Sequence, residues 1–247
     1  MDEDSKKLLE ELRQDMKRVL KELGSLRGVT GVVSAIVSAI VAGAVVALLA
    51  GCAAYPQPAE PSAAGVSGFV VGLVDEGGRA FCTGTNTEVG VVTAAHCVDP
   101  ETDTVRVGTL WGLDEDRSRW STVHPLRVLA VDRVADIAVL QRLPRRLAPA
   151  ARVRPEPPVL GERVIVVGHG ASIPYTAHTG TVGRAAGPCM PGWGCRGWFD
   201  VDVRATPGNS GSGILDAQGR LIGVLSFGVG PNITGAIPAA LIPSPDR

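Results

Sequence analysis

The chain has 247 residues, enough for one large domain or two small ones. Its 24 basic and 25 acidic residues leave a formal net charge of -1, so no broad basic field is present and we expect no nucleic-acid partner. Aromatic residues make up only 4%, whereas 31 glycines and 18 prolines are present, which favours short strands joined by many turns over a helical bundle.

Residues 1–28 are charged, contain no proline and predict an amphipathic helix. Apolar residues recur alternately three and four positions apart and form a heptad seam: Leu9, Leu12, Met16, Val19, Leu23 and Leu26. Two interpretations stay open here. The seam favours either self-association through a short coiled coil or a single amphipathic helix in solvent or on a membrane surface.

Residues 29–51 contain no charged side chain. As a helix these 23 residues span about 34 Å, which is enough to cross a bilayer core. Basic residues precede the segment at Lys17, Arg18, Lys21 and Arg27, which predicts a cytoplasmic N-terminus. We therefore expect a membrane-anchored protein whose remaining chain is extracytoplasmic, at the cell surface or in the periplasm.

The segment ends in Leu49-Ala50-Gly51-Cys52, which resembles the lipobox of bacterial lipoproteins, whose cysteine is lipidated after cleavage. The apolar stretch is longer than that of an ordinary signal peptide. An uncleaved transmembrane anchor and a lipidated Cys52 therefore remain two alternatives. The next stretch, 52–66, is rich in proline and alanine and predicts a semi-rigid linker to a domain over 67–247.

From about Ser67 the pattern changes to short β-rich runs separated by turns such as DEGG, PETD and DAQG. The predicted strands are Gly68–Val74, Val89–Thr93, Thr104–Val107, Val128–Val131, Ile137–Leu140, Arg163–Val167, Gly180–Val182, Gly213–Leu215 and Leu221–Phe227. This pattern indicates an all-β sandwich or barrel, and composition does not choose between them.

Four of the five cysteines lie in this β-rich part, so they could form two disulfides in an oxidising compartment: Cys82, Cys97, Cys189 and Cys195. A hairpin could bring Cys82 to Cys97, beside His96. Cys189 and Cys195 enclose a short loop that a bridge would close. No spacing of histidines and cysteines argues for zinc.

Three stretches carry residue types that suit nucleophilic catalysis: TAAHC with His96, DIAVL with Asp136, and TPGNSGSG with Ser210. Taken singly, these are a core histidine, a strand-capping aspartate and a glycine-serine turn. Taken together, they offer a base, a carboxylate that orients it, and a hydroxyl whose flanking glycines admit a substrate.

These three motifs, in this order, resemble the chymotrypsin/trypsin-like serine proteases, over about residues 65–242. The resemblance implies an all-β chymotrypsin-like fold of two antiparallel six-stranded barrels, preceded here by the amphipathic and transmembrane helices. It implies a catalytic triad of His96, Asp136 and Ser210, with backbone N–H groups of Gly208 and Ser210 as the oxyanion hole. Ser226, Phe227 and Gly228 would bind substrate. No cofactor and no metal are expected.

Asn209 departs from the zymogen-type members of this family, which carry an aspartate before the nucleophile. GNSG instead resembles bacterial members of the glutamyl-endopeptidase and HtrA kind, and we expect no PDZ domain within these 247 residues. Arg204 precedes Ser210 by six positions and either forms the base of the substrate pocket or points to solvent. His124, His169 and His178 have no partner motif and are interpreted as structural or exposed.

The sequence thus predicts a membrane-tethered extracytoplasmic serine endopeptidase that acts on peptides or proteins through an acyl-enzyme. Two alternatives belong to other classes of function. One is a catalytically silent pseudoprotease that binds peptides, although the sequence shows no damaged triad. The other is a membrane assembly protein in which the heptad helix and residues 29–51 carry the main role.

Overall fold

The computed structural model describes residues 63–113, 115–116, 119–187, 197–230 and 232–243, with further helical residues between 7 and 21. The predicted transmembrane segment 29–51, the lipidation candidate Cys52 and the pair Cys189 and Cys195 lie outside these residues. Across the part of the chain that is described, no helix combines the length and the apolarity needed to cross a bilayer.

The chain divides into two units, Met1–Gln57 and Pro58–Arg247. In the first unit the described residues are helical, as the charged N-terminal pattern predicts. Two ion pairs at 3.9 Å join residues one helical turn apart, Arg13 with Glu10 and Arg18 with Asp15. Met16, a member of the heptad seam, is 44% exposed. Self-association through this seam stays a prediction.

The second unit contains twelve strands in its described part: β1 Val70–Val74, β2 Ala80–Asn86, β3 Val91–Thr93, β4 Thr104–Gly108, β5 Val123–Asp132, β6 Ile137–Leu140, β7 Arg163–Gly168, β8 Thr176–Arg184, β9 Phe199–Val201, β10 Gly213–Leu215, β11 Leu221–Gly230 and β12 Ile233–Pro238. They form two closed antiparallel barrels of six strands, in the orders β1-β2-β3-β6-β5-β4 and β10-β11-β12-β9-β8-β7. The predicted fold of two six-stranded barrels is confirmed.

Short helical segments connect or flank the strands: an α-helical turn at Ala63–Val66 and 3-10 turns at Ser67–Phe69, Ala95–Cys97, Leu110–Gly112, Gly170–Ser172 and Ala239–Leu241. The first of these differs from the predicted linker over 52–66. Val66 is only 5% exposed and packs with Val70 in an apolar cluster to which both barrels contribute residues. Burial of this side chain orders the end of the linker.

Two strands have the predicted bounds, β6 and β10, because each is an uninterrupted buried run between turn residues. Three strands were not predicted: β2, β9 and β12. In β2 the polar residues Thr83, Thr85 and Asn86 are almost fully buried, a pattern that composition does not distinguish from a loop. Their hydroxyl and amide groups are hydrogen-bonded to backbone, which makes burial tolerable.

The barrels meet through β2. Thr83 donates its N–H to the carbonyl of Ser210 at 2.8 Å, and the Thr85 hydroxyl accepts the N–H of Gly213 at 3.0 Å. Both contacts join the first barrel to the segment that enters β10 in the second. The position of Ser210 relative to the first barrel is therefore held by one backbone–backbone hydrogen bond and by one hydrogen bond to a buried threonine hydroxyl.

Candidate active site

His96 lies in the 3-10 turn Ala95–Cys97 that follows β3, with its side chain 45% exposed. The structure contains the predicted disulfide between Cys82 and Cys97, with 6.1 Å between the Cα atoms. The Sγ atom of Cys97 lies 3.8 Å from the carbonyl oxygen of Ser210. The bridge therefore brings the histidine turn against the backbone of the serine.

A guanidinium holds the same turn from the other side. Arg133 donates from Nη1 to the carbonyl of Ala95 at 2.5 Å and from Nη2 to the carbonyl of Val98 at 2.8 Å. These are charge-assisted hydrogen bonds to two carbonyls that flank His96. The disulfide and the guanidinium therefore both hold the backbone of the turn that carries His96.

Asp136 precedes β6 and is only 8% exposed. Its Oδ1 accepts the backbone N–H of His96 at 2.9 Å, and its Oδ2 lies 2.8 Å from His96 Nδ1. Ser226 donates its hydroxyl to the same Oδ2. The residue has a φ of 55°, a left-handed conformation that costs an L-residue about 1–2 kcal/mol and aims the carboxylate at the histidine.

The pKa of Asp136 reflects these contacts. Burial alone would raise the pKa of this carboxyl, but hydrogen bonds from the His96 ring, the Ser226 hydroxyl and the His96 N–H outweigh burial, and the pKa lies below its ordinary value of 3.8. Asp136 is therefore ionised and accepts the Nδ1 proton. In the neutral tautomer that this contact selects, Nε2 of His96 carries the lone pair that a general base requires.

Ser210 follows the turn Thr206–Asn209, which ends just before β10. Gly208 and Gly211 have φ values of 98° and 83°. A Cβ on Gly208 would overlap the carbonyl oxygen of His169, and a Cβ on Gly211 would overlap the carbonyl oxygen of Thr83. Both glycines are required because the backbone passes so close to its neighbours.

The peptide between Pro207 and Gly208 has a defined orientation. The carbonyl of Pro207 accepts the N–H of Ala171 at 2.7 Å. In a trans peptide the carbonyl and the following N–H point in opposite directions, so the N–H of Gly208 points away from Ala171. Among the described residues, neither this N–H nor that of Ser210 has a hydrogen-bond partner, whereas the N–H of Asn209 is bonded to Thr206 at 3.0 Å.

The residues predicted to bind substrate lie in β11. Ser226 is buried under Asp136, and Phe227 packs edge-on against Trp198 with 5.4 Å between ring centroids. Among the described residues, a Cβ on Gly228 would meet no atom within 4 Å. Arg204 is exposed. Cys189 and Cys195 cannot be placed because they lie outside the described residues.

The family model of the trypsin-like peptidase domain matches residues 66–224, which cover the first barrel, the second barrel up to the start of β11, and all three motifs. The chain belongs to this family. The resemblance drawn from TAAHC, DIAVL and GNSGSG is confirmed, and so is the prediction of a trypsin-like serine peptidase domain.

The chain is also similar to individual known proteins in sequence or in fold. Protease Do-like 1 from the chloroplast of Arabidopsis thaliana is 30% identical over 112 residues, which cover 42% of this chain and 25% of that protein. A Yersinia pestis serine endoprotease has a TM-score of 0.55 at 20% identity, covering 71% of this chain and 60% of that one. Rv3671c of Mycobacterium tuberculosis, an inactive serine-to-alanine mutant, has a TM-score of 0.56 at 23% identity, covering 75% and 90%.

The two structural likenesses concern the fold. The chain spans about a quarter of the length of the curated relative it matches.

Within this trypsin-like peptidase domain, Cys82, His96 and Cys97 form a group of atoms close enough to hold a metal ion. Because Cys82 and Cys97 are bonded to each other, their sulfurs are not thiolate ligands, and this group is a disulfide beside an imidazole.

Sequence reasoning missed three residues around the site of this trypsin-like peptidase domain. Arg133 lies three positions before Asp136. In the sequence it resembles any surface arginine, so nothing marked it as part of the site. Thr83 was given no role of its own, because only its neighbour Cys82 drew attention in the sequence. His169 was interpreted as structural or exposed, although Gly168-His169-Gly170 directly after a buried strand is a signal for close backbone packing.

Proposed function

We propose that this chain is a serine endopeptidase in which His96, Asp136 and Ser210 form the catalytic triad. The observation that carries the proposal is the 2.8 Å contact between His96 Nδ1 and the ionised carboxylate of Asp136. This contact leaves His96 Nε2 as an acceptor. The turn that carries His96 also lies close to Ser210, since the Cys97 Sγ is 3.8 Å from the Ser210 carbonyl oxygen. A base and a hydroxyl so arranged suit acyl transfer.

In the proposed mechanism, His96 Nε2 takes the proton of the Ser210 hydroxyl as its oxygen attacks the carbonyl carbon of a peptide bond. Asp136 stabilises the imidazolium that forms and keeps the Nδ1 proton in place. His96 then gives the proton to the leaving amine, which releases the first product. Water, with His96 again as the base, hydrolyses the acyl-enzyme and restores Ser210.

The N–H groups of Gly208 and Ser210 would bind the oxyanion of the tetrahedral intermediate. Two features support this assignment. The carbonyl of Pro207 is turned toward Ala171, so the Gly208 N–H is turned the other way. Both N–H groups also lack partners in the described part of the chain, whereas the N–H of Asn209 between them is paired. Two free donors separated by one paired donor fit a single oxygen atom.

A peptide substrate would bind in extended form along β11. On one side β11 pairs with β12 up to Gly230, whereas on the other side its register with β10 reaches only Val224. β10 therefore stops pairing before β11 ends, and we propose that a substrate strand lies along this side of β11, next to Ser226, Phe227 and Gly228. The exposure of Arg204 gives no support to a pocket selective for acidic side chains.

The test uses the full-length protein in detergent with a fluorophosphonate probe, which reacts with an activated serine hydroxyl. We expect the native protein to be labelled and Ser210→Ala to show no labelling, because the substitution removes the attacking oxygen. Ser121→Ala, which alters an exposed serine far from the proposed triad in sequence, should be labelled like the native protein. Absence of labelling in the folded native protein would favour a peptide-binding pseudoprotease and contradict the proposal.

The proposed location is extracytoplasmic, with residues 29–51 as the membrane tether. The support is the 23-residue uncharged stretch and the disulfide at Cys82 and Cys97, which suits an oxidising compartment. We expect the native protein to partition with membranes, and its intact mass separates the two alternatives for Cys52. The mass of the full chain indicates an uncleaved anchor. The mass of the chain from Cys52 onward plus that of an attached lipid indicates lipidation. Recovery in the aqueous phase without cleavage would contradict the tether.

A further inference from the structure

His169 occupies a fully buried position between the two barrels. It follows β7, and none of its surface is exposed. Its ring makes edge-to-face contacts with Trp120, at 5.0 Å between centroids, and with Tyr175, at 4.9 Å. Trp120 belongs to the first barrel's sequence and Tyr175 to the segment just before β8, so the imidazole packs across the junction.

The imidazole has a feature that an apolar ring would lack. Its Nδ1 accepts the backbone N–H of Tyr175 at 3.2 Å, which requires the proton to reside on Nε2. Nε2 is buried without a hydrogen bond of normal geometry, although the backbone of Val71 faces the ring. Burial lowers the pKa of His169 to about 3, so the ring is neutral. A phenylalanine would avoid the unpaired nitrogen, so the Nδ1 acceptor is what the histidine contributes.

The loop that His169 begins is strained. Ala171, Ser172 and Tyr175 have φ values of 54°, 60° and 58°, in the left-handed region that non-glycine residues disfavour. Such conformations persist only where the surroundings hold them. Here His169 supplies two of the restraints, since its Nδ1 holds the N–H of Tyr175 and its carbonyl accepts the N–H of Ser172 at 3.0 Å.

This loop in turn holds the segment that carries the proposed oxyanion hole. Ala171 donates to the Pro207 carbonyl at 2.7 Å, which orients the peptide that ends in the Gly208 N–H. The backbone N–H of His169 donates to the Thr83 hydroxyl at 3.1 Å, and that hydroxyl donates to the Gly208 carbonyl at 2.7 Å. Rotation of either peptide beside Gly208 would break one of these bonds.

We infer that His169 is a positioning residue for the oxyanion segment 206–209, acting through the Ala171 N–H and the Thr83 hydroxyl. The inference rests on the proposed function, because it assumes that the Gly208 N–H binds the oxyanion. His169 touches no reacting atom. Its ring keeps the loop in the strained conformation that turns the Pro207 carbonyl away and leaves the Gly208 N–H free.

Three variants of the full-length protein test the inference. His169→Ala removes the ring and the acceptor, His169→Phe keeps the ring but lacks the acceptor, and His169→Asn restores an acceptor at the position of Nδ1. We expect His169→Ala to lower kcat for a cleaved peptide about 10- to 100-fold, somewhat less than removal of an oxyanion donor, with KM changed less than about threefold. His169→Phe should show a similar loss, and His169→Asn should recover most of it.

A peptide aldehyde provides a readout that a purely structural role would not move. It binds as a tetrahedral adduct that uses the oxyanion hole, so its Ki should rise by the same factor as kcat/KM falls. His178→Ala, at a part-exposed histidine of β8, is the matched control and should change neither. All measurements are made below the unfolding temperature of each variant. If His169→Ala does not fold, His169→Phe takes its place as the test variant.

Unchanged kcat in folded His169→Phe, or a lower kcat with an unchanged aldehyde Ki, would overturn the inference. Failure of the inference is distinct from failure of the proposed function. If Ser210→Ala abolishes labelling while the His169 variants react normally, only the role of His169 is wrong. If the native protein is not labelled, the proposed function itself is wrong.

Discussion

Replacing Asp136 with asparagine is expected to lower kcat about 10,000-fold while the protein stays folded, the size of effect typical of a triad carboxylate. An asparagine amide can donate a hydrogen bond to His96 Nδ1 where the carboxylate only accepts one. The imidazole then carries its proton on Nε2 and cannot accept the Ser210 proton. The amide oxygen still accepts the His96 N–H at the position of Oδ1, and the Ser226 hydroxyl, which faced Oδ2, can accept the second N–H of the amide, so the geometry should persist.

The measurement is steady-state cleavage of a peptide identified from a diverse library by mass spectrometry. Asp103→Asn makes the same chemical change at an exposed position in the turn before β4 and should retain full activity. Because the pKa of Asp136 lies below 3.8, its negative charge is present above that pH and is lost as the pH falls further. Activity of Asp136→Asn within about tenfold of the native enzyme would remove Asp136 from the triad.

Gly208→Ala is expected to lower kcat about 100- to 1000-fold, the effect of losing one oxyanion donor. Gly208 has a φ of 98°, and a Cβ there would overlap the carbonyl oxygen of His169. The segment must move to relieve this contact, and the Gly208 N–H moves with it. KM should change little, because the oxyanion forms only in the transition state and the intermediates next to it.

Gly219→Ala is the matched control for this substitution. Gly219 also has a positive φ, 72°, but a Cβ there would lie 3.6 Å from its nearest neighbours, an ordinary contact distance. It lies in the turn between β10 and β11, away from Ser210. We expect Gly219→Ala to cost about 1–2 kcal/mol of stability and to leave kcat unchanged. Equal losses of kcat in both variants would show that backbone strain in general, and not the oxyanion segment, limits activity.

The sequence predicted much of the fold where local pattern and burial agree. β6 and β10 were bounded correctly because each is a short apolar run buried on both sides and closed by turn residues. β8 was predicted as Gly180–Val182 and extends over Thr176–Arg184, because its residues are mostly polar and half-exposed. β12 was not predicted, since ITGAIP has little alternation to identify it as a strand.

What the order of residues determined by itself is the family and the residues proposed for catalysis: a histidine, an aspartate and a serine, each in a short motif. What only the tertiary structure decided is how those motifs are held. The Thr83 hydroxyl contacts backbone groups far away in the chain. It accepts the N–H of His169, 86 residues away, and donates to the carbonyl of Gly208, 125 residues away. No local pattern encodes such contacts, because the Thr83 hydroxyl gains its hydrogen-bond partners only when the two barrels close against each other.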